Sequence, residues 1–412
     1  MASSITFFPV GNGDMTLIVL GDEASTRILI DCNITGAADD PNNDTRDVAQ
    51  DLRDRLKRDS KGRPYVDVFL SSHPDQDHCR GIRNHFYLGD PAAYSDDKKP
   101  DNEKHILMKE IWSSPIVYRR ASKNHTLTAD AKALHTEAKR RVQVERDKDF
   151  TGIQDGDRIQ ILGEDESGKT DDLSPILVKI DEDIEKINGA KSKLFKARLL
   201  APFAISADDC DEEELGKNHS SVILNIELAD DSSRSTVKRF LTAGDAEVLI
   251  WEKLWEKHGA APKALEYDLL QTPHHCSWHS LSYDSRSELG DKAKVSASAK
   301  SALSQIRSGG TIVTSSSPVK DDDRDPPCHA AKVEYESIIK NAKGEFICTG
   351  EYPTEAKPTP LEFVVSDQKL AKSVRTASIG APQVLTKGLI DEIGRKAAEA
   401  EAVKKAGNSR YA

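Results

Sequence analysis

Short apolar runs separated by turn-forming residues dominate the pattern of the chain. The first two runs, ITFFPV and MTLIVL, flank the sequence GNGD, and a third run, RILIDC, follows GDEAS. Asn12-Gly13 and Gly21-Asp22 supply residues that adopt positive φ in tight turns. The pattern predicts a β-hairpin or meander over residues 5–31. From its spacing alone, GNGD is a hairpin turn and nothing more.

Later apolar runs are followed by residues whose side chains can bind metal or transfer protons. VDVFLSS precedes HPDQDH, KRFLTA precedes GDAE, and LEYDLLQ precedes TPHHCS. Such runs are typical of buried strands, and α/β sheets place their chemistry at the carboxyl ends of their strands. Val48, Leu52 and Leu56 recur at helical spacing and predict an amphipathic helix that covers the sheet.

Strands and helices alternate in two parts of the chain. One part joins the strands of 5–31 to the run at 66–72, and the other joins 219–243 to 265–272. This order predicts the α+β class, as an αββα sandwich of two mixed sheets flanked by helices with one cleft along a shared sheet edge. Since ligands of shared metal ions lie close together, we expect His73 and Asp245 within about 10 Å of each other.

Composition narrows the protein class. The chain has 412 residues, is 37% hydrophobic and 31% charged, and can build a sizeable core. Its net charge of −11 argues against general adhesion to nucleic acid. No apolar run approaches the roughly 18 residues of a membrane span, and MASSITFFPV lacks the features of a signal peptide. We therefore expect a cytoplasmic protein without a membrane segment, and its scattered cysteines indicate free thiols.

The densest chemical motif is HPDQDH. His73 and Asp75 alternate on extended backbone and share a face, whereas Asp77 and His78 are adjacent and turn toward a different centre. Ligand-type side chains at this spacing suit two metal ions better than one. The competing interpretation is a solvated, Asp-rich turn with incidental histidines.

Two further stretches offer ligands. Asp245 follows a strand and a glycine, so it either points into the same cleft as a bridging carboxylate or caps the helix that follows. Adjacent residues on extended backbone face opposite ways, so one residue of the pair His274-His275 is expected to ligate. We assign His274 as the ligand and His275 as a donor or acid on the substrate side.

These motifs resemble a known superfamily. HPDQDH resembles the H-x-H-x-D-H signature of the metallo-β-lactamase fold, with Asp75 in place of the second histidine. VGNGDMTLI, LTAGDAE and PHHCS resemble motifs in the hydrolase domain of ComEC-type DNA-uptake proteins. Carboxylate is a harder ligand than imidazole, so Asp75 shifts the preference from zinc toward manganese or magnesium.

The resemblance implies a metal-dependent hydrolase that cleaves phosphodiester bonds, a nuclease or nucleotide phosphodiesterase, with a hydroxide bridging two divalent ions, Zn²⁺ or Mn²⁺. The implied metal ligands are His73, Asp75, Asp77, His78, Asp245 and His274. Catalytic roles fall to Asp77, His275 and Ser277, and substrate contacts to Asp14, Asn218, His219 and Ser277. By the same likeness, Asp14 and Asp31 border the metal site without ligating it.

The sequence leaves two alternatives to a phosphodiesterase open. They are a hydrolase of lactone, thioester or β-lactam substrates on the same fold, and a non-enzymatic interaction protein. The expected partner is a nucleic acid or nucleotide substrate. The helix predicted over 128–148 is either a solvated charged helix or a strip that faces nucleic acid, through Lys132, Lys139, Arg140, Arg141 and Arg146.

The predicted organisation is a hydrolase domain over residues 1–366 and a helical C-terminal tail over 367–412. An insertion of about 163–217 contains an acidic linker and a short amphipathic helix. The Ala-rich, charged end of the tail suits a protein partner or a homodimer interface.

Overall fold

The structure is a computed structural model that describes residues 2–119, 126–165, 168–204, 217–366, 370–374 and 383–384. The described chain contains two large mixed β-sheets and helices, which confirms the predicted α+β class. No helix within these ranges is both long enough and apolar enough to cross a membrane.

The strands are numbered along the chain. They are β1 Ser4–Phe7, β2 Thr16–Val19, β3 Arg27–Ile30, β4 Cys32–Asn33, β5 Lys57–Arg58, β6 Pro64–Ser71, β7 Leu107–Ser113, β8 Arg158–Leu162, β9 Leu177–Val178, β10 Asp183–Ile184, β11 Lys186–Ile187, β12 Ala190–Lys191, β13 Phe195–Ala201, β14 Ile223–Ala229, β15 Val237–Leu241, β16 Tyr267–Gln271, β17 Ile306–Thr314, β18 Glu345–Cys348, β19 Leu361–Val365, β20 Leu370–Val374 and β21 Gln383–Val384. The α-helices are α1 Val48–Arg53, α2 Gln76–Cys79, α3 Ile82–His85, α4 Pro115–Arg119, α5 Ala129–Asp147, α6 Val248–His258, α7 Arg286–Leu289, α8 Ala297–Leu303 and α9 His329–Ala342.

The first sheet has the order β21-β20-β19-β1-β2-β3-β6-β7-β8-β9, with β5 paired to β6. β1, β2 and β3 form the predicted antiparallel meander, and β3, β6, β7, β8 and β9 run parallel. The second sheet has the order β10-β13-β14-β15-β16-β17-β18, antiparallel up to β15 and parallel after it. Among the described strands, β11 and β12 pair only with each other.

Alternation along the strands arranges these elements in layers. In β3, Ile28 and Ile30 pack against the second sheet, whereas Leu29 packs on the opposite side with Leu52 of α1 and Leu134 of α5. The outer face of the second sheet is covered by α6, α8 and α9. Because successive residues of a strand face opposite ways, each sheet buries both faces. The layer order is helices, first sheet, second sheet and helices.

The segment 163–217 differs from its prediction. No amphipathic helix forms over its described residues: Asn188 and Gly189 adopt positive φ and close the small hairpin of β11 and β12. An Asn-Gly pair favours this turn, which ends any helix across it. The following run, FKARLLA, alternates buried and half-buried residues and forms β13 inside the second sheet. Part of the predicted insertion therefore belongs to the core.

The first sheet continues past residue 366, where the predicted hydrolase domain ends. β20 pairs with β19, and β21 pairs with β20, so residues predicted as a helical tail extend this sheet. Pairing with β19 satisfies backbone groups that an edge strand leaves open. The helix predicted near the C-terminus, with its suggested interface, lies outside the described residues.

The basic residues of α5 do not form an open strip. Arg141 is buried, and its guanidinium donates to Glu137 Oε1 at 2.8 Å and to the carbonyl of Met108 at 2.9 Å. Arg140 pairs with Glu137 and Asp157. Arg140 and Arg141 therefore serve packing within the fold, whereas Lys132 and Lys139 are exposed. α5 has a solvated face, but its basic residues do not all lie on it.

Glu110 of β7 is buried and makes folding stability depend on pH. Burial raises the pKa of Glu110 from its ordinary value of 4.5 to about 7, against the lowering effect of the Asn188 N–H, which donates to its Oε2 at 2.6 Å. Below pH 4.5, Glu110 is protonated in both the folded and the unfolded protein. As pH rises from 4.5 to about 7 the unfolded protein releases this proton first, so the free energy of unfolding falls, and above pH 7 it levels off. At 1.36 kcal/mol per pKa unit, the loss amounts to about 3 kcal/mol at most.

Replacing Glu110 by Gln keeps an acceptor for the Asn188 N–H and removes the titration. We expect the variant to gain stability relative to the wild type as pH rises from 5 to 8, by up to about 3 kcal/mol. Urea unfolding of both proteins at the two pH values measures this difference. If the free energies of unfolding of the two proteins differ by the same amount at both pH values, Glu110 does not hold a proton in the folded protein.

Candidate metal centre

The HPDQDH motif follows β6, as the sequence predicts. Asp75 is the N-cap residue of α2 but does not use its side chain as a cap, and Asp77 and His78 lie on α2. His73 and His78 are fully buried, with ring centroids 4.1 Å apart. Asp75 and Asp77 remain partly exposed. The motif therefore presents two buried imidazoles below two carboxylates.

Asp245 lies between these groups. Its Oδ1 is 2.9 Å from His78 Nε2, and its Oδ2 is 3.5 Å from His73 Nε2. This confirms the expected proximity of His73 and Asp245. The N-cap of α6 is Glu247, so Asp245 does not cap that helix. Its backbone N–H donates to Ser221 Oγ at 3.0 Å, which fixes the turn.

His274 and His275 do not lie on extended backbone, so the premise used to separate them is wrong. Both adopt left-handed conformations, with φ of 48° and 51°. His275 Nε2 lies 3.4 Å from Asp245 Oδ1, whereas His274 Nε2 lies 3.7 Å from Asp245 Oδ2. His275 is 1% exposed and His274 keeps an open edge. The turn therefore brings both rings to opposite oxygens of one carboxylate.

A first group of atoms converges around His78 and His275. Their Nε2 atoms are 3.2 Å apart, and Asp77 Oδ2 lies 3.4 Å from His275 Nε2. Ligands about 2.0–2.1 Å from a tetrahedral ion are about 3.3 Å from each other. The spacing of Asp245 Oδ1 and the two imidazole nitrogens matches this value. Asp14, His78, Asp245 and His275 together have the residue types and spacing to hold a metal ion.

A second group lies on the other oxygen of Asp245. It contains His73, Asp75 and Asp245, and His73 Nε2 is 3.7 Å from Asp75 Oδ2. His274 approaches the same Asp245 oxygen. The two groups meet only at Asp245, which offers one oxygen to each.

Hydrogen bonds orient three imidazoles toward the cluster. His78 Nδ1 lies 2.8 Å from Asp31 Oδ2, His275 Nδ1 lies 3.1 Å from the Ser315 carbonyl, and His73 Nδ1 lies 3.0 Å from Ser72 Oγ. A ring that donates through Nδ1 presents an unprotonated Nε2, which is the form that ligates a metal. These contacts therefore favour metal binding over ordinary packing of histidines.

Buried polar atoms without hydrogen-bond partners test whether a metal fits. Among the described residues, these atoms include Asp14 Oδ1, His73 Nε2, Asp245 Oδ1 and His274 Nδ1. Unpaired buried acceptors are costly, and metal coordination removes that cost. The donor set of imidazole and carboxylate suits zinc and manganese. The residues therefore fit a metal centre.

The charges of the cluster also call for a cation. Burial lowers the pKa of His275, but Asp245 and Asp14 raise it to about 10 overall. Burial likewise lowers the pKa of His78, yet Asp245 and Asp31 raise it well above its usual value. Burial raises the pKa of Asp245, but His78, His275 and His73 hold it well below its usual range. In the metal-free protein the raised pKa values of His78 and His275 favour protons on these two rings, which offset the carboxylates, and metal ions would displace those protons.

Asp31 supports this cluster from behind. Its Oδ1 accepts the Ser72 N–H at 2.8 Å, and its Oδ2 accepts the Ser72 hydroxyl at 2.6 Å besides the contact to His78. Asp31 adopts a φ of 56°, a conformation that Asn tolerates. Asp31 therefore borders the cluster, as the resemblance to the hydrolase motifs implies.

Replacing Asp31 by Asn should weaken metal binding by about 10- to 100-fold, because the charge that orients His78 is lost while the backbone is kept. Competition with a chromogenic chelator measures the affinity. Unchanged affinity in a folded variant contradicts the orienting role.

The GNGD turn is more than a hairpin connection. The Asp14 N–H donates to the Asp77 carbonyl at 3.1 Å, and Ser315 Oγ donates to the Gly13 carbonyl at 2.7 Å. A Cβ on Gly13 would lie 2.0 Å from Asn33 Nδ2, so only glycine fits. The turn brings Asp14 Oδ1 to 3.4 Å from His275 Nδ1. Asp14 thus lies inside the cluster, on the Nδ1 side of the ring.

Other predicted residues lie elsewhere. Ser277 is fully buried, and its Oγ accepts the His279 N–H at 3.2 Å, which leaves it away from the open face. Asn218 donates to Glu247 Oε1 at 2.8 Å, and His219 Nε2 is 3.8 Å from Glu247 Oε2. Both therefore contact Glu247, whose Oε1 is 3.8 Å from His274 Nδ1.

The sequence pattern predicts no role for Ser72 or Glu247. Ser72 stands directly before the motif histidine, and Glu247 stands two residues after Asp245, so nearness to a ligand was the available signal. A scan against models of known protein families finds no match, and a search of curated proteins finds none either.

Proposed function

We propose that this protein is a metal-dependent hydrolase that cleaves phosphodiester bonds, with the metallo-β-lactamase type of fold. The observation that supports it most is the position of Asp245, which offers its two oxygens to two separate groups of imidazole and carboxylate ligands. Such a carboxylate suits a pair of ions that share one substrate.

The residues proposed to hold the ions differ in one respect from the sequence prediction. The first group would use His78, His275 and Asp245 with Asp77 in place of Asp14, because Asp77 Oδ2 lies beside His275 Nε2 whereas Asp14 Oδ1 lies beside Nδ1. The second group would use His73, Asp75 and Asp245. His275 thus replaces His274 as a ligand, because its ring is buried and oriented by Ser315. When bound, the ions would lower the pKa of water and stabilise negative charge on phosphate.

The chain's own residues supply the remaining chemistry. The buried imidazoles exclude bulk water from the lower side of the cluster, and substrate is left with the side where Asp75, Asp77, His274 and Glu247 are partly exposed. His274 is the imidazole on that side, beside Glu247, and would donate a proton to the leaving oxygen. Asp77 lies on the same side, with its Oδ2 3.4 Å from His275 Nε2, and would serve as a metal ligand beside that nitrogen.

A covalent enzyme intermediate is not part of this proposal. Ser277 is buried and caps a turn, and burial raises the pKa of the Cys276 thiol well above its usual value. Neither group is an activated nucleophile.

The test combines metal analysis with a substrate panel. The purified protein, loaded with Mn²⁺ or Zn²⁺, is incubated with an aryl phosphodiester, single-stranded DNA, RNA, a β-lactam and a lactone. We expect cleavage of phosphodiesters and loss of that cleavage on chelation. Cleavage confined to the lactam or lactone overturns the proposal, and cleavage that survives both chelation and a His73→Ala, Asp77→Ala double change comes from another protein or site.

A further inference from the structure

We propose a second ligand site in a cavity of about 360 Å³ at the far end of α6 from the metal centre, with a small phosphate monoester that carries hydroxyl or amino donors as its ligand. α6 starts just after Asp245, has 11 residues and ends at His258 in the cavity wall. At 1.5 Å per residue the helix separates the two sites by about 16 Å. The identity of the ligand rests on the proposed function, because phosphodiester hydrolysis releases such a monoester.

A buried amide points to a ligand with a donor group. Asn225 on β14 is 5% exposed and lines the cavity. Its Nδ2 donates to the carbonyls of Ala264 at 2.8 Å and Glu266 at 2.9 Å, which fixes the orientation of the amide. Its Oδ1 is buried and accepts no hydrogen bond from the described residues. A hydroxyl or amino group of a ligand would satisfy this acceptor.

His258 adds a second polar atom of this kind. Its Nε2 is buried, has no hydrogen bond within the described chain and lies 3.4 Å from Asp181 Oδ1. Burial lowers the pKa of His258, so the ring is neutral at neutral pH and can donate to or accept from a ligand.

The rim of the cavity supplies positive charge. Its cationic side chains are Lys196, Arg198, Arg239 and Lys263, against the carboxylates Asp183 and Glu227. The lining itself has two more cations than carboxylates, while Asp181 and Glu266 outside it pair with Arg198 and Arg239. A phosphate monoester carries close to two negative charges at neutral pH.

Ion pairs hold these cations in place. Lys196 Nζ is 2.7 Å from Asp183 Oδ2, and Arg198 Nε is 3.1 Å from Asp181 Oδ1. Arg239 contacts Glu227 and Glu266. Two of these carboxylates, Asp181 and Glu266, do not line the cavity. A guanidinium has five donors, so it holds a carboxylate and a phosphate oxygen at once. Lys263 is exposed and forms no ion pair with a described residue, which leaves its ammonium group for the ligand.

The experiment measures binding without activity. Protein stripped of metal by chelation and dialysis is titrated calorimetrically with adenosine 5′-monophosphate, ribose 5-phosphate and phenyl phosphate. We expect one molecule of either of the first two to bind per chain. Phenyl phosphate lacks hydroxyl and amino donors and should bind about 10-fold more weakly, because Asn225 Oδ1 stays unpaired.

Variants locate the binding. The double change Lys196→Ala, Lys263→Ala should weaken the binding of adenosine 5′-monophosphate about 10-fold or more. Lys320→Ala is the matched control, because Lys320 is likewise a surface lysine, 2.8 Å from Glu355, and lies outside the cavity. Absence of binding, equal binding by the double variant, or equal binding of phenyl phosphate overturns the site. This binding test uses the metal-free protein and measures no activity. A negative result therefore rejects the second site only, and the substrate panel still tests the proposed function.

Discussion

Replacing Asp245 by Asn is expected to lower metal content and phosphodiester turnover together, with turnover about 1,000-fold below the wild type. The side chain keeps its size and one carbonyl oxygen, so it still contacts one ligand group. It loses the negative charge and the second acceptor that the other group uses. In the wild type those acceptors lie 2.9 Å from His78 Nε2 and 3.5 Å from His73 Nε2.

Metal content of the variant is measured by plasma mass spectrometry after loading and desalting, beside turnover of an aryl phosphodiester. Asp96→Asn is a matched control, because Asp96 is also a buried carboxylate that contacts a histidine, His105, but it lies outside the cluster. We expect that control to keep its metal. Full metal occupancy in Asp245→Asn would remove Asp245 from the shared position.

The site could be located from the sequence because each ligand stretch follows an apolar run. β6, β15 and β16 end one or two residues before HPDQDH, GDAE and PHHCS, and parallel pairing of β15 with β16 brings two of these ends together. Strand ends on one sheet edge converge whatever the loops do. The strand pattern and the position of the charged residues were therefore sufficient to place His73 and His78. For Asp245 the same pattern also allowed a helix cap, and the resemblance to the hydrolase motifs favoured the ligand.

The backbone conformation of the loops could not be predicted from the sequence in this way. The sequence PHHCS gives no signal that His274, His275 and Cys276 all adopt positive φ, which non-glycine residues rarely do. The surrounding contacts impose it: the His274 N–H donates to the Gly244 carbonyl at 2.9 Å, and the Cys328 N–H donates to the Cys276 carbonyl at 2.9 Å. These partners are distant in sequence, so tertiary packing decided which histidine points inward.

The strands of the predicted insertion were missed for a different reason. Ile184 and Ile187 are three residues apart, which fits a helix, and both are buried. The Asn188-Gly189 turn outweighs that spacing. Similarly, pairing of β20 with β19 depends on a partner strand, which a local pattern in a charged region does not reveal.

The two histidines of PHHCS should respond differently to replacement by Gln. His275→Gln is expected to remove about one metal ion per chain and to lower turnover about 1,000-fold, because its Nε2 meets His78, Asp77 and Asp245 at 3.2–3.4 Å. His274→Gln should keep both ions, because Asp245 still joins the groups, and should lower turnover about 100-fold through loss of a proton donor.

Leaving-group dependence separates these roles. A proton donor assists a poor leaving group more than a good one, so His274→Gln should impair cleavage of a dinucleotide far more than cleavage of a nitrophenyl phosphodiester. His275→Gln should impair both substrates alike, because a lost ion affects every phosphodiester. If instead His274→Gln loses metal and His275→Gln retains it, His274 is the ligand that the sequence pattern predicts. In that case the buried position of His275 between Asp14 and Asp245 serves to balance their charge, since its raised pKa makes it a cation there without a metal.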